Sequence, residues 1–463
     1  MSRTLTVPAV LLVLTLTAAC AERRGYTPPP ATAPTLSQAT ADAFTAQPYD
    51  PKWWREFDDP ILLQLQEAAL AANLDIRAAV ARVDQARAVF DDVQRDRYPT
   101  ATVNAAVDRR DQAVPGFTDE PIRTSSYRLA LDAFWEIDLF GRVRSAVRAA
   151  HADTDALDAS LEDVRVVVAA EVAREYFTLR GLQQQLAVAA RSLENQRETL
   201  RLTQVRRTAG IGEEQDVASA AARVAAIEAS VPPLRARIAA RTHRLAVLTG
   251  VTPGALPVDL SPRAYPTLAK ALPIGDVSLL LRRRPDVRAA ERRLAAAAAR
   301  EGVAAAELYP KISISGALGL LAGRGNLFGR SESRAWSVTP ALSWAGFDLG
   351  SARARLRGAE AASRESLATY EQSVLLALEE TENALIAYRE EQARLVHLGE
   401  QARESARAAS IARVRFREGL SDFLTLLDAE RTQLAAEDAV AAAEADVFVR
   451  VVALYKSLGG ISI

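Results

Sequence analysis

The sequence predicts an α+β fold made of two similar copies, each a pair of long strands followed by helices several times the usual length. Three observations lead there. The chain repeats itself about 211 positions apart, so that Asp75-Ile76-Arg77-Ala78-Ala79 returns as Asp286-Val287-Arg288-Ala289-Ala290 and Tyr98-Pro99 returns as Tyr309-Pro310. The residues from Tyr127 to Asp138 alternate apolar and polar with the period of a strand. Two stretches, from Gly141 to Arg207 and from Ser351 to Arg417, carry apolar residues at seven-residue spacing and contain no proline.

The first element is a leader. Arg3 precedes an apolar run from Leu5 to Leu16, about 12 residues and too short to span roughly 30 Å of hydrocarbon, which reads as a cleaved signal peptide over 1–19. The segment Leu16-Thr17-Ala18-Ala19-Cys20 resembles the processing box of bacterial lipoproteins, with Thr17 where Leu is commoner. That resemblance implies acylation of Cys20, the only cysteine, and the Ala21 after it suits sorting to the outer membrane. With one thiol there is no disulfide framework. Residues 20–48, rich in Pro, Thr and Ala, follow as a tether.

The first copy occupies 49–250. Asp59-Pro60 supplies a cap and a first-turn proline for a helix over 61–97, which Tyr98-Pro99 ends because proline disfavours helical geometry in the residue before it. A strand pair is expected within 100–138, from Thr100 to Val107 and from Tyr127 to Asp138. On the second strand Tyr127, Leu129, Leu131, Ala133, Trp135 and Ile137 share one face while Arg128, Asp132, Glu136 and Asp138 share the other. Its length is close to the roughly 9–11 residues of a tilted membrane-crossing strand, although a half-buried soluble hairpin would alternate in the same way. The helix from Gly141 to Arg207 would be about 100 Å long at 1.5 Å per residue. Val172, Leu179, Leu186, Leu193 and Leu200 set its seven-residue repeat, which demands supercoiling against neighbours. It stops at the turn Gly210-Ile211-Gly212 and returns from Asp216 to Leu248, where Val231-Pro232-Pro233 is expected to interrupt and kink it.

A Pro-rich linker, 251–273, leads to the second copy, 274–463. Its strand pair lies within 311–348, with Ile312, Ile314, Gly316, Leu318 and Leu320 on one strand and Trp336, Val338, Leu342 and Trp344 on the next. Trp135, Trp336 and Trp344 near strand ends suit a membrane interface. The glycine-rich run from Gly319 to Gly325 lacks the Lys-Ser/Thr ending of a phosphate loop and reads as the loop between the last two strands. The second long helix turns at Gly419-Leu420-Ser421 and returns from Phe423 to Leu458.

Composition narrows the function classes. Apolar residues make up 49% and aromatic ones only 6%, the Ala, Leu and Val balance of long packed helices. A net charge of −1 gives no field to attract nucleic acid. His151, His243 and His397 are scattered along helices without ligand-like neighbours, and no catalytic constellation or cofactor motif appears, so an enzyme is not expected. Four strands cannot close a barrel and open edges are not tolerated in lipid, so strands that cross a membrane require several chains. Two would supply eight strands and three twelve. The long helices would then continue such a pore as a second, helical tube.

Four stretches in order resemble the TolC-like outer membrane factors. They are Trp53-Trp54-x-x-Phe57-x-Asp59-Pro60, Trp135-Glu136-Ile137-Asp138-Leu139-Phe140-Gly141-Arg142, Arg283-Arg284-Pro285-Asp286-Val287-Arg288-Ala289-Ala290-Glu291, and Leu424-x-Leu426-Leu427-Asp428-Ala429. The chain is most similar to the lipoprotein subgroup attached to multidrug pumps. The resemblance implies a homotrimer with a twelve-stranded outer-membrane β-barrel, four strands per chain, continued by a periplasmic α-helical barrel. It implies docking on a periplasmic adaptor and an inner-membrane pump, anchoring in outer-membrane lipid through acylated Cys20, and export of drugs or other solutes. An exit duct for type I protein secretion and a lipid-anchored coiled-coil scaffold without a pore are the alternatives.

The resemblance also implies site residues at the helix turns. Asp428 stands where the family places an aspartate lining the constriction, and a ring of three such carboxylates would make a cation-selective throat. Asp216 stands where the family latches neighbouring tips with an acid, and Arg415 is a plausible partner for it. Phe416 replaces a frequent tyrosine, and Thr425 stands where some members carry a second aspartate. Gly210, Ile211, Gly212, Gly419, Leu420 and Ser421 are the expected adaptor contact.

Overall fold

The computed structural model describes residues 36–39, 42–113, 116, 120–268, 271–276 and 279–460 of the 463. The leader, Cys20 and the tether as far as residue 35 lie outside the described residues. Among the described residues the strands are β1 (Phe44–Thr45), β2 (Thr100–Gln112), β3 (Ile122–Ile137), β4 (Leu272–Pro273), β5 (Lys311–Ala322) and β6 (Arg334–Ser343). The α-helices among them are α1 (Pro60–Ala72), α2 (Leu74–Arg95), α3 (Arg142–Thr208), α4 (Glu214–Leu248), α5 (Leu280–Arg283), α6 (Pro285–Ala306), α7 (Leu349–Arg417) and α8 (Phe423–Ser457). Two compact units can be distinguished, and each draws on both copies of the repeat. One contains Arg82–Asp158 and Ala289–Gln372, the other Ala31–Ala81, Ala159–Arg288 and Ser373–Ile463.

The first unit is built on one antiparallel sheet in the order β2-β3-β5-β6. The two copies therefore meet edge to edge, with Leu131 opposite Leu318 and Ile137 opposite Ile312. Because side chains alternate across the pleat, this register sorts the sheet into two faces. Val103, Val107, Leu129, Leu131, Trp135, Ile314, Leu318, Leu320, Trp336, Val338 and Leu342 share one. Thr102, Asn104, Asp108, Arg110, Arg128, Asp132, Glu136, Ser313, Ser315, Ser337 and Thr339 share the other. The strands outrun expectation at their loop ends, since Asp108 to Gln112 still pair with Ser126 to Ile122. The glycine-rich run is also partly strand rather than loop. Gly319 lies within β5, where a Cβ would sit 2.0 Å from the Leu129 carbonyl oxygen, so only glycine permits this approach between the copies.

The strand-to-helix joint explains the stretch around Glu136. Glu136 accepts two hydrogen bonds from Arg142 at 2.7 Å each, and Asp138 caps α3 by accepting from the backbone N–H of Val143 and Arg144. Trp135 donates its indole N–H to the Arg97 carbonyl, and Trp344 donates to that of Leu308. Each indole thus holds the carbonyl just ahead of a Tyr-Pro pair, the same contact made once per copy. Small residues let the helices of this unit approach closely. Ala152, Ala295 and Ala296 are buried together, and Gly302 lies against Ser145.

In the second unit a 3-10 turn, Trp53–Phe57, buries Trp53, Trp54 and Phe57. Trp53 stacks on Tyr455 at 5.6 Å, and Phe57 meets Phe177 and Phe448. Asp59 then caps α1 through Ile61 N and Leu62 N while its other oxygen accepts from the Tyr176 hydroxyl. The helix expected over 61–97 is two helices, because Asn73 turns to an extended conformation. Its side-chain oxygen accepts from the N–H of Asp75 and Ile76 and its amide donates to the Leu248 carbonyl, so one buried side chain ends α1, starts α2 and ties down α4. Arg284 occupies the corresponding break between α5 and α6 and likewise reaches a helix end, donating to the Ser457 carbonyl. It pairs with Asp286 and Glu380, and against the opposing effect of burial Asp286 is held below its usual range by Arg284 and Glu380 by Lys456 together with Arg284. The expected interruption at Pro232-Pro233 does not occur. Helix α4 runs through, and the Glu228 and Ala229 carbonyls deprived of partners belong to exposed residues that water can satisfy.

Candidate functional site

The candidate site is the pair of helix turns in the second unit. Helix α3 ends in a left-handed Gly210, with Gly210 N–H donating to Arg207 and Ile211 N–H to Arg206, each at 3.0 Å. Helix α7 ends the same way at Gly419, whose N–H reaches Phe416 while Leu420 N–H reaches Arg415. These are paired Schellman closures, and since nothing lies within 4 Å of a Cβ at either glycine, backbone conformation alone demands the residue. The next helices start differently. Asp422 caps α8 by accepting from Thr425 N–H at 2.7 Å, which holds its carboxyl below the usual range, whereas Glu213 makes no side-chain cap for α4.

Under the turns lies a small apolar core of Ala220, Ala412, Phe416, Phe423 and Leu426. Phe416 is buried against Phe423 at 5.7 Å. Arg206 from α3 lies over its ring at 4.8 Å and donates to its carbonyl at 3.0 Å, joining the two turns. Ile211, Leu420 and Leu424 are exposed apolar side chains at the same end.

The acids expected here occupy distinct settings. Asp428 lies one turn into α8 with an exposed carboxylate paired to Arg431 at 2.8 Å. Asp216 lies in the first turn of α4 and is half-buried. Arg415 donates to the Leu420 carbonyl of its own turn at 3.4 Å, and among the described residues no hydrogen bond or ion pair joins it to Asp216 within one protomer.

Three charged residues that the pattern does not single out complete the site, the tightly held Glu430 and Arg413 and the exposed Arg431. Glu430 is 7% exposed and accepts from Arg413 Nε and Nη2 at 3.0 and 2.9 Å, with the Thr199 hydroxyl at 3.3 Å. Burial pushes the Glu430 carboxyl up, and Arg413 opposes that. Arg431, three residues after Asp428, was visible only as an i,i+3 neighbour. Among the described residues, no group of histidine, cysteine and acidic side chains could hold a metal ion. His151 faces Asp155 at 3.3 Å and the edge of Phe90, and His397 lies 3.6 Å from Glu400. No helix among the described residues is long and apolar enough to cross a membrane, a statement that does not bear on the sheet.

Comparison with known proteins adds lineage to this geometry. Residues 65–251 and 277–460 match the model of the family described as outer membrane efflux protein, one match per copy. The solvent efflux pump outer membrane protein SrpC of Pseudomonas putida is 32% identical over 89% of this chain and 87% of its own length. The outer membrane protein OprJ of Pseudomonas aeruginosa is 31% identical over 98% of this chain and 95% of its own. Among solved structures, the outer-membrane channel OprN superposes with a TM-score of 0.93 at 49% identity, covering 95% of this chain and 99% of that one. The open state of the Neisseria gonorrhoeae MtrE outer membrane channel superposes at 0.84 with 29% identity, over 95% and 97%.

Proposed function

Because the chain belongs to the outer membrane efflux protein family, we propose that three copies close a twelve-stranded barrel that serves as the exit duct of a tripartite efflux pump. The protein is an outer membrane efflux channel and not an enzyme. The observation that carries the proposal is the sheet itself. It has one apolar and one polar face, and its outer strands β2 and β6 have no further partner among the described residues. Such a sheet is stable in lipid only when β2 of one copy pairs with β6 of the next, which removes the edges and turns the polar face into a lumen. Trp135 and Trp344 then mark the interface at the helix end of the barrel, and Trp336 lies exposed on the lipid face.

The turns around Gly210 and Gly419, with Ile211 and Leu420 exposed beside Gly212 and Ser421, offer the apolar contact for a periplasmic adaptor that connects to an inner-membrane pump. Three Asp428 carboxylates would line the throat, with Asp216 and Arg415 facing between protomers, and acylated Cys20 would add a lipid anchor. Small solutes rather than secreted proteins are the cargo this reading favours, since SrpC is named for solvent efflux. Planar-bilayer recording tests it. The purified trimer should conduct, and Asp428→Asn should weaken cation preference and divalent-cation block. Absence of conductance in both proteins, with trimers verified by native mass, overturns the channel reading.

A further inference from the structure

We propose that Arg109, Arg123 and Arg334 form a basic rim on the lipid-facing side of the sheet that binds phosphate groups of outer-leaflet lipids. The inference rests on the barrel reading above and specifies a partner for a surface that reading leaves unassigned. Strand pairing places all three side chains on the apolar face. Arg109 follows Val107 by one pleat repeat, Arg123 pairs across from Asp111 on that same face, and Arg334 pairs with Leu320. On β3 and β5 the apolar face runs from the Ile137–Ile312 pair to the Tyr127–Ala322 pair. Ten residues at about 3.4 Å each give roughly 34 Å of strand, and a tilt of about 40° reduces that to a height near 25 Å, the span of the hydrocarbon layer. Along the ladder Arg109 stands one pleat repeat beyond the Tyr127–Ala322 pair and Arg123 two, while Arg334, opposite Leu320, stands one repeat inside it, so the three guanidinium groups bracket the end of the apolar surface.

The two ends of this face differ in chemistry. At the helix end the outward groups are the indoles of Trp135 and Trp344, each bonded to a backbone carbonyl. At the loop end they are guanidinium groups, and the ends of the strands there are the ones remote from the helices. On the opposite, lumen face arginines are matched by neighbouring acids, Arg110 with Asp108 and Arg128 with Asp132. On the lipid face only Arg123 has such a partner, Asp111 at 2.9 Å. Arg109 and Arg334 are exposed and make no side-chain hydrogen bond or ion pair among the described residues. Even counting Asp111, the outward rim has a net charge of about +2 per protomer, and a cation at the hydrocarbon edge is stabilised by an anionic headgroup.

Arginine presents a planar fork that matches phosphate oxygens in pairs. Val107 and Tyr127, nearer the helices than Arg109 and Arg123, and Leu320, beside Arg334, suit acyl chains of the same molecule. The occupant is thus a lipid carrying phosphate rather than free phosphate. Arg334 lies on β6 and Arg109 on β2, the two strands that meet between protomers in the closed ring, so each seam would be flanked by guanidinium groups from two chains.

The test uses purified full-length trimer in detergent, titrated with bis-phosphorylated lipid A, dephosphorylated lipid A and inorganic phosphate, with bound lipid counted by native mass spectrometry. Wild-type trimer should retain the phosphorylated lipid at least about tenfold more tightly than the dephosphorylated one. The Arg109→Gln/Arg334→Gln variant should lose that preference, and Arg110→Gln on the lumen face should keep it. Equal retention of the two lipids by wild type overturns the proposal even if the double variant fails to fold. So does competition by inorganic phosphate at concentrations matched to the lipid. Conductance recorded in parallel separates this outcome from failure of the barrel reading, because a conducting trimer without lipid preference refutes the rim alone.

Discussion

Replacing Arg413 with Leu should destabilise the helical hairpin by about 3 kcal/mol at pH 7. In the native hairpin Arg413 Nε and Nη2 both bond one oxygen of Glu430, the Thr199 hydroxyl lies at 3.3 and 3.4 Å, and Arg223 adds a positive charge without a hydrogen bond. Without Arg413 a carboxylate that is 7% exposed is left almost unpaired, and breaking such a buried pair costs about 3–5 kcal/mol. The Arg413 side chain is itself 30% exposed, so water can partly replace it and the lower end applies. At roughly 2 °C per kcal/mol the helix-melting midpoint, followed by circular dichroism in detergent, should fall by about 6 °C.

The pH dependence supplies a sharper check. Burial already raises the Glu430 pKa in the folded state, so the folded chain holds this proton more tightly than the unfolded chain. The stability linked to a raised acid is fully present below its unfolded pKa and is lost as pH rises through the folded one. Removing Arg413 removes the opposing charge and raises the folded value further. The deficit of the variant relative to wild type should therefore shrink as pH falls from 7 toward the ordinary glutamate value of 4.5. The double variant Arg413→Leu/Glu430→Leu should recover most of the loss. A deficit below about 1 kcal/mol, as for an exposed pair, or one that is the same at both ends of this pH range, would refute the reasoning.

The remaining predictions concern the throat, the sheet and the helix break. Arg431→Ala frees Asp428 from its pair and should strengthen cation preference in bilayer recordings without moving the melting midpoint by more than about 2 °C, because both groups are exposed. An unchanged reversal potential would mean that the Asp428 carboxylate does not face the ion path. Gly319→Val forces side-chain atoms into the Leu129 carbonyl and should abolish assembly into heat-resistant trimers on unboiled gels, while Gly358→Ala, with ordinary helical backbone and open surroundings, serves as the control. Normal trimer yield from Gly319→Val would contradict the register of β3 and β5. Asn73→Ala removes the cap of α2 and the tie to Leu248 and should cost about 1–2 kcal/mol, with faster hydrogen exchange at Asp75 and Ile76. Unaltered exchange there would show that the cap is dispensable.

Much of this architecture was legible in the residues because it follows short-range rules. Asp59-Pro60 announced a helix start, Gly210 and Gly419 announced left-handed stops, and the alternation from Tyr127 to Ile137 announced a strand with two different faces. The strand ends were less legible. Beyond Val107 the residues Asp108 to Gln112 are polar or charged on both faces, so polarity no longer reports on pairing even though the hydrogen-bond ladder continues. Asn73 was invisible for a related reason, since an amide that bonds backward to one helix and sideways to another leaves the apolar period on either side undisturbed. Proline misled in the opposite direction, because Pro232-Pro233 lies on a solvent-facing part of α4 where lost hydrogen bonds are cheap. At the turns, Glu430 looks like any other helix glutamate. Its burial is set by Arg413 across the turn and by Thr199 from the other copy, a partnership that no local pattern encodes.

The antiparallel pairing of β3 with β5 also changes the order of the assembly reaction. A ring of single copies would need six bodies to meet, each with two interchangeable sticky edges, and its formation would depend steeply on concentration. Fusing the copies makes every second seam an intramolecular encounter at an effective concentration of about millimolar, so only the β2–β6 seams await another chain. The two kinds of seam are then free to drift apart. The close approach at Gly319 lies on the internal kind, where it fixes the fit between a chain's own two halves before any second chain arrives.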